Sequence, residues 1–434
     1  MTGTRQQLDP VPAPRRTHLE RIGTYVLNKP LKRTGATVPE PTDLPAATSV
    51  LQGARVIDPA SSTDAVLDVA IAGDTIVEVG TDLRSRHPLA AVVDLSGTIL
   101  TPGLIDLHAH VFAGLGDFCV EPDRAGVSTG VPVVVDGGTS GIATFELARR
   151  SVEGSGSRTR VLAFIDPNQL YLATKDFICH KLQIADDERN LDLDSTAAMV
   201  EKHADMVVGF KVRATHVGDD THSPFLEGAK SVAGDLPIMV HLGRFPHTPV
   251  ITTPALLQTL RGGDVITHAF RGGGGQLVPG TGSVTPEFAD AVERGIRLDV
   301  GHSGTDFRFD TARRLFDAGY LPDTISTDLN LFNEAAPVRS LAETMSKIWA
   351  MGVELPAVIA MCTSNTAATI HRGEELGAIA PGRIAELSVL RIEEGSFELS
   401  DGYEPMVVDR VLSPVGCFRA GTWIDALVPQ AVAA

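Results

Sequence analysis

Between residues 104 and 327 the chain repeats one pattern eight times, and this constrains its fold more than any other feature. Short apolar runs rich in β-branched residues occupy 104–112, 131–137, 161–166, 207–212, 237–242, 265–270, 297–300 and 324–327. Between them lie stretches of helical period, at 145–153, 195–204, 225–233, 254–261, 286–294 and 311–318. Parallel strands need a crossover of a dozen or more residues, and a helix usually supplies it. Eight such units predict a (β/α)8 TIM barrel of ordinary size. A doubly wound open sheet is the alternative, but no glycine-rich dinucleotide fingerprint follows the first run.

The two ends of the chain have a different character. Runs at 50–57, 66–72, 75–79 and 92–95, and again at 385–391, 407–412 and 415–418, are bounded by Gly, Pro and Asp and read as strands. Pieces of two or three strands are marginal alone. One small β-sandwich built from both ends, 49–101 with 374–434, is therefore expected, with the barrel at 102–373 inserted. Residues 1–48 are rich in proline, threonine and basic side chains without periodicity. They read as a disordered tail or as an arm over a neighbouring subunit, and the arm, with a homo-oligomer, is the expectation.

The net charge of −17 opposes non-specific binding to nucleic acid or anionic membrane. Cys119, Cys179, Cys362 and Cys417 form no CxxC pair, which suits reduced thiols. No secretory signal and no apolar run of about 20 residues is visible, so the cytoplasm is the expected location.

Active groups of a barrel come from the C-terminal ends of its strands. His108 and His110 end the first run in Asp106-Leu107-His108-Ala109-His110, and side chains two apart on a strand face the same way. Lys211 ends the fourth run, His241 the fifth and His268 the sixth, and Asp328 follows the eighth. One inward histidine is commonly a core residue. Six groups of ligand type at one end of one barrel point instead to a metal centre. A charged lysine has no place beside cations, but burial near positive charge lowers its pKa, and the neutral amine reacts with carbon dioxide. The carbamate formed is a carboxylate on a long arm. The bland alternative is a core lysine paired with Asp or Glu.

These residues, with the Thr101-Pro102-Gly103-Leu104-Ile105-Asp106 entry and the Gly377-Ala378-Ile379-Ala380-Pro381-Gly382 return, resemble the amidohydrolase superfamily in its binuclear, carboxylated-lysine branch. The resemblance covers most of the chain. It implies that His108, His110 and Asp328 hold one ion, that His241 and His268 hold the other, and that carboxylated Lys211 bridges both. Two divalent ions follow, with zinc the best match to the ligands. It implies a hydroxide bridging the ions that attacks an amide or acyl carbonyl, with Asp328 moving the proton. Dihydroorotases carry an arginine two residues after the HxH, where this chain has Phe112. Gly301-His302-Ser303-Gly304 and Ser326-Thr327-Asp328-Leu329-Asn330 look more like a dihydroorotase-like deacetylase branch acting on small substituted carboxylates.

Arg213, Arg244 and Arg271 near the mouth are candidates to hold a substrate carboxylate through the guanidinium fork. His302 is a candidate substrate donor or a partner behind the ligands. Tyr171 lies in the long 167–193 connection, which reads as a lid or specificity wall. The competing functions are a cyclic amidase of hydantoinase or dihydroorotase type, a mononuclear deaminase, and a non-catalytic assembly protein.

Overall fold

The computed structural model describes residues 44–216, 218–243, 245–273, 277–278 and 284–427. Most of the expected N-terminal arm, and Arg244, lie outside them.

The chain enters through strands β1 (Ser49–Asp58), β2 (Thr63–Ala72), β3 (Thr75–Gly80), β4 (Ala91–Asp94) and β5 (Ile99–Pro102). Seven parallel strands follow and pair in chain order. They are β6 (Ile105–Ala109), β7 (Val133–Gly141), β8 (Arg160–Asp166), β9 (Val207–Val212), β10 (Ile238–His241), β11 (Val265–Thr267) and β12 (Arg297–Leu298). The ring closes through two isolated parallel bridges, Asp299 to Thr324 and Ala109 to Leu329. The fold is thus a TIM barrel, with one departure from expectation. The seventh run is cut to two residues and the eighth forms no ladder. Carboxylates take over backbone donors there, since Asp323 accepts from Leu298 N at 2.8 Å and Asp106 from Thr327 N at 3.0 Å.

Helices cover the barrel at Ile142–Gly154, Leu193–Lys202, Pro224–Ala233, Thr253–Thr259, Pro286–Glu293 and Phe309–Asp317, within a few residues of the expected stretches. Their starts are set by side chains: Asp192, Ser223 and Thr285 each accept an orphan N–H of the first turn. A cluster drawn from six strands, including Leu107, Val135, Phe164, Val208, Met239 and Val265, forms an apolar floor. Met239 Sδ lies 3.7 Å from Lys211 Nζ, so the site rests on that floor.

The chain ends in β13 (Leu387–Ser400), β14 (Pro405–Arg419) and β15 (Thr422–Asp425). The second sheet runs β15-β14-β13-β5-β1-β2-β3, with β4 beside β1, and the Ser388–Thr101 register joins the two ends of the chain. Pro414 does not break β14 as its sequence suggests. The register shifts between Val389 and Leu390, and that bulge absorbs the missing N–H.

Candidate metal centre

His108, His110 and Asp328 converge, with one ligand atom from each lying within 4.8 Å of the others. Asp328 Oδ1 is 3.2 Å from His110 Nε2 and 3.4 Å from His108 Nε2, and Oδ2 is 3.9 Å from His268 Nε2. The rings of His241 and His268 stand 4.4 Å apart, centre to centre. Lys211 Nζ reaches to 3.1 Å from His108 Nε2. The six sequence candidates therefore share one place at the C-terminal ends of the strands. His268 and Asp328 take left-handed backbone (φ 64° and 50°), which turns both side chains inward after their strands end.

The hydrogen bonds behind the ligands fix which ring nitrogen faces the centre. Thr267 Oγ1 donates to Asp299 at 2.8 Å, so it can only accept from His108 Nδ1, 3.0 Å away. Thr139 Oγ1 donates to Asp136 at 2.8 Å and accepts from His110 Nδ1 at the same distance. His268 Nδ1 donates to the Gly301 carbonyl at 2.6 Å. All three Nε2 atoms then present lone pairs toward the carboxylate of Asp328. Lone pairs facing a carboxylate repel unless a cation lies among them. Two atoms record that demand: His268 Nε2 and Asp328 Oδ1 are buried without a donor. Burial first, and then neighbouring positive groups, hold His108 and His241 neutral well below the ordinary imidazole range. The residues present fit a divalent metal centre.

Lys211 is 1 % exposed, and among the described residues no carboxylate lies within ion-pair distance of it. Burial, then Arg213, lowers its pKa to about 7. The core-lysine alternative, a pair with Asp or Glu, is not what the structure shows.

The expected substrate residues fare differently. The Arg213 guanidinium is buried, donates to Asp166 at 2.6 Å and to the Gly138 carbonyl at 3.0 Å, and covers the Tyr171 ring. Arg271 pairs with Asp306 at 3.0 Å and donates to the Leu242 carbonyl, while its Nε is buried without a partner. Tyr171 is buried, with its hydroxyl 3.4 Å from His180 Nε2. His302 is fully buried, with Nε2 3.0 Å from Lys347 Nζ and Nδ1 accepting from Gly304 N at 3.1 Å, the place of a partner behind the ligands. Phe112 is a core residue against Phe145. Sequence reasoning missed the residues that flank the centre, Phe118 at 4.7 Å from the His110 ring and Phe245 at 4.2 Å from that of His241. It also missed the anchors Asp136 and Asp299, whose one signal was a carboxylate closing an apolar run.

No family model matches the chain. A deacetylase of Agrobacterium fabrum is 32% identical over 339 residues, which is 77% of this chain and 80% of that protein. A deacetylase of Brucella anthropi is 31% identical over 344 residues, 78% of this chain and 83% of its own length. A crystal structure of a dihydroorotase superposes with a TM-score of 0.76 at 29% identity, covering 87% of this chain and 97% of the other.

Proposed function

The chain belongs to the amidohydrolase superfamily, and from that premise we propose that it is a deacetylase whose centre would hold two zinc ions, with a carbamate on Lys211 among their ligands. At the coarser level it is a metal-dependent hydrolase acting on carbon–nitrogen bonds. The observation that carries the proposal is the convergence of inward Nε2 lone pairs and Asp328 beside a buried lysine without a counter-ion. His108, His110 and Asp328 would hold one ion, and His241 and His268 the other. A lysine whose pKa is about 7 is substantially neutral near pH 7 and is ready to take up carbon dioxide.

When bound, the ions supply an activated water near neutral pH and a Lewis acid for the acyl carbonyl. The chain supplies the rest. Asp328 takes the proton of the attacking water and returns it to the leaving nitrogen as the bond to the acyl carbon breaks. Thr267 and Thr139 keep the imidazoles in the tautomer that leaves Nε2 free. Phe118 and Phe245 flank the His110 and His241 rings with aromatic faces. Arg271, whose Nε is buried without a partner, stays a candidate for a substrate carboxylate, and Phe118 and Phe245 offer apolar contact beside it.

The test is hydrolysis of a panel of N-acetyl and O-acetyl carboxylates, with and without an apolar side chain, alongside cyclic amides. Metal-dependent release of acetate, fastest on apolar members, supports the reading. Turnover of cyclic amides alone would replace it with a cyclic amidase.

A further inference from the structure

A second buried lysine lies behind the centre. Lys347, in the helix Leu341–Ala350, is fully buried, and its Nζ donates to the Pro337 carbonyl at 2.5 Å, lies 3.0 Å from His302 Nε2 and pairs with Glu343 Oε1 at 3.1 Å. The other oxygen of Glu343 accepts from Arg339 Nε at 2.5 Å. Gly304 N donates to His302 Nδ1 at 3.1 Å, so the ring proton of His302 sits on Nε2, facing Lys347. Nothing in the proposed reaction uses this group, and its burial keeps substrate from touching it.

Its contacts fall on two turns that each carry part of the metal centre. His302 follows Gly301, whose carbonyl fixes His268 Nδ1. Pro337 belongs to the segment after Asp328. There Asn333 Nδ2 donates both to Ser303 O at 2.7 Å and to the backbone carbonyl of Asp328 at 2.8 Å, while Asn330 Nδ2 donates to the same Asp328 carbonyl at 2.9 Å. The turns also touch directly, because a Cβ on Gly304 would sit 2.9 Å from Pro337 Cδ. Gly301, Ser303, Asp328 and Arg339 all have left-handed backbone, which strains the non-glycine residues unless neighbours hold them.

We propose that Lys347, through His302 and the Pro337 carbonyl, is a positioning residue that clamps these two turns together and so sets His268 and Asp328 at the spacing a metal ion requires. The proposal rests on the metal-centre reading above. A charge buried only for stability is replaceable by an apolar isostere at little loss. Backbone bonds from His302 N to Ser326 O at 3.2 Å and from Ser303 N to Thr327 O at 2.9 Å tie the turns where they leave the barrel, and Lys347 ties them farther out, at His302 and Pro337.

The experiment measures zinc affinity by chelator competition, with the thermal midpoint of the metal-free protein as a control for folding. It compares wild type, Lys347→Met, His302→Leu and His302→Gln, the last retaining a hydrogen-bonding partner for the Lys347 amino group. Lys347→Met leaves Glu343 paired with Arg339. Zinc binding is expected to weaken about tenfold or more in Lys347→Met and His302→Leu, with His302→Gln close to wild type. Folded Lys347→Met or His302→Leu protein that binds zinc as tightly as wild type would overturn the inference. Where Lys347→Met does not fold, the two His302 variants decide the matter in the same way. A wild type that takes up no zinc overturns the metal-centre reading and this inference together, whereas variants that match a zinc-binding wild type overturn the inference alone.

Discussion

Glycines 137 and 138 show how little room surrounds the ligands. A Cβ on Gly137 would lie 2.0 Å from His108 Cδ2, and one on Gly138, at φ 81°, would lie 2.3 Å from Lys211 Cβ. Gly137→Ala must push the His108 ring aside. The expected result is loss of bound metal and a fall in kcat of about 100-fold, with the metal-free fold retained, read by elemental analysis beside circular dichroism. Asp328→Asn keeps the shape of the side chain but cannot accept the proton, so kcat is expected to drop by about 10³ or more. Asp299 offers a pH signature. Burial raises its pKa to about 6, against 3.8 for the ordinary side chain, despite bonds from Ser326, Thr267 and Thr324. Between those values the folded protein keeps a proton that the unfolded chain releases, so this group's contribution to stability declines as pH rises from 3.8 to about 6. Denaturant titrations should show a shallower decline in Asp299→Asn than in wild type, and equal slopes would count against this assignment. The six ligand-type residues were legible because imidazole, amine and carboxylate stand out at the ends of apolar runs. The same signal did not separate ligands from the anchors Asp136 and Asp299. Nor did it reveal the partners of Arg213 and Arg271, because Asp166 and Asp306 reach them from other segments.

At the level of elements, the joint between the two sheets is the point most exposed to a small change. Gly103 N donates to the Glu386 carbonyl at 2.7 Å, and an added Cβ would stand 2.8 Å from Pro132 Cγ and 3.0 Å from the Glu386 backbone. Gly103→Ala therefore forces β5 and β13 apart where the two chain ends meet. The cost is expected to be about 1–3 kcal/mol of unfolding free energy, with a lower thermal midpoint and an unchanged KM in the surviving folded fraction. Strand and helix alternation gave each barrel helix away, because the period of apolar residues changes along the chain. The short seventh strand and the bridged eighth did not show in the same pattern. Their apolar residues face the right way, yet Asp106 and Asp323 satisfy backbone groups that a ladder would otherwise pair. Pro414 misled for a related reason, since a bulge lets one continuous strand carry a proline.

Across the whole molecule, the parallel ring positions chemistry and the second sheet closes over the entry and exit of the chain. Both were visible in the sequence, the ring from eightfold alternation and the sheet from short runs at both ends too few to stand alone. Among the described residues no helix is long and apolar enough to cross a membrane. Ions that bind only the folded state stabilise it, by about 2.7 kcal/mol when present at 100 times their Kd. Chelation should thus lower the thermal midpoint, and zinc should restore it. A midpoint indifferent to both would mean that the inward lone pairs do not hold metal. The most direct test combines metal content per chain with the intact mass of native protein and acetate release before and after chelation. The account predicts two divalent ions per chain, a mass increased by one CO2 on Lys211, and hydrolysis that disappears with the metal. Less than one ion per chain under metal-replete conditions, with Lys211 unmodified, would contradict it.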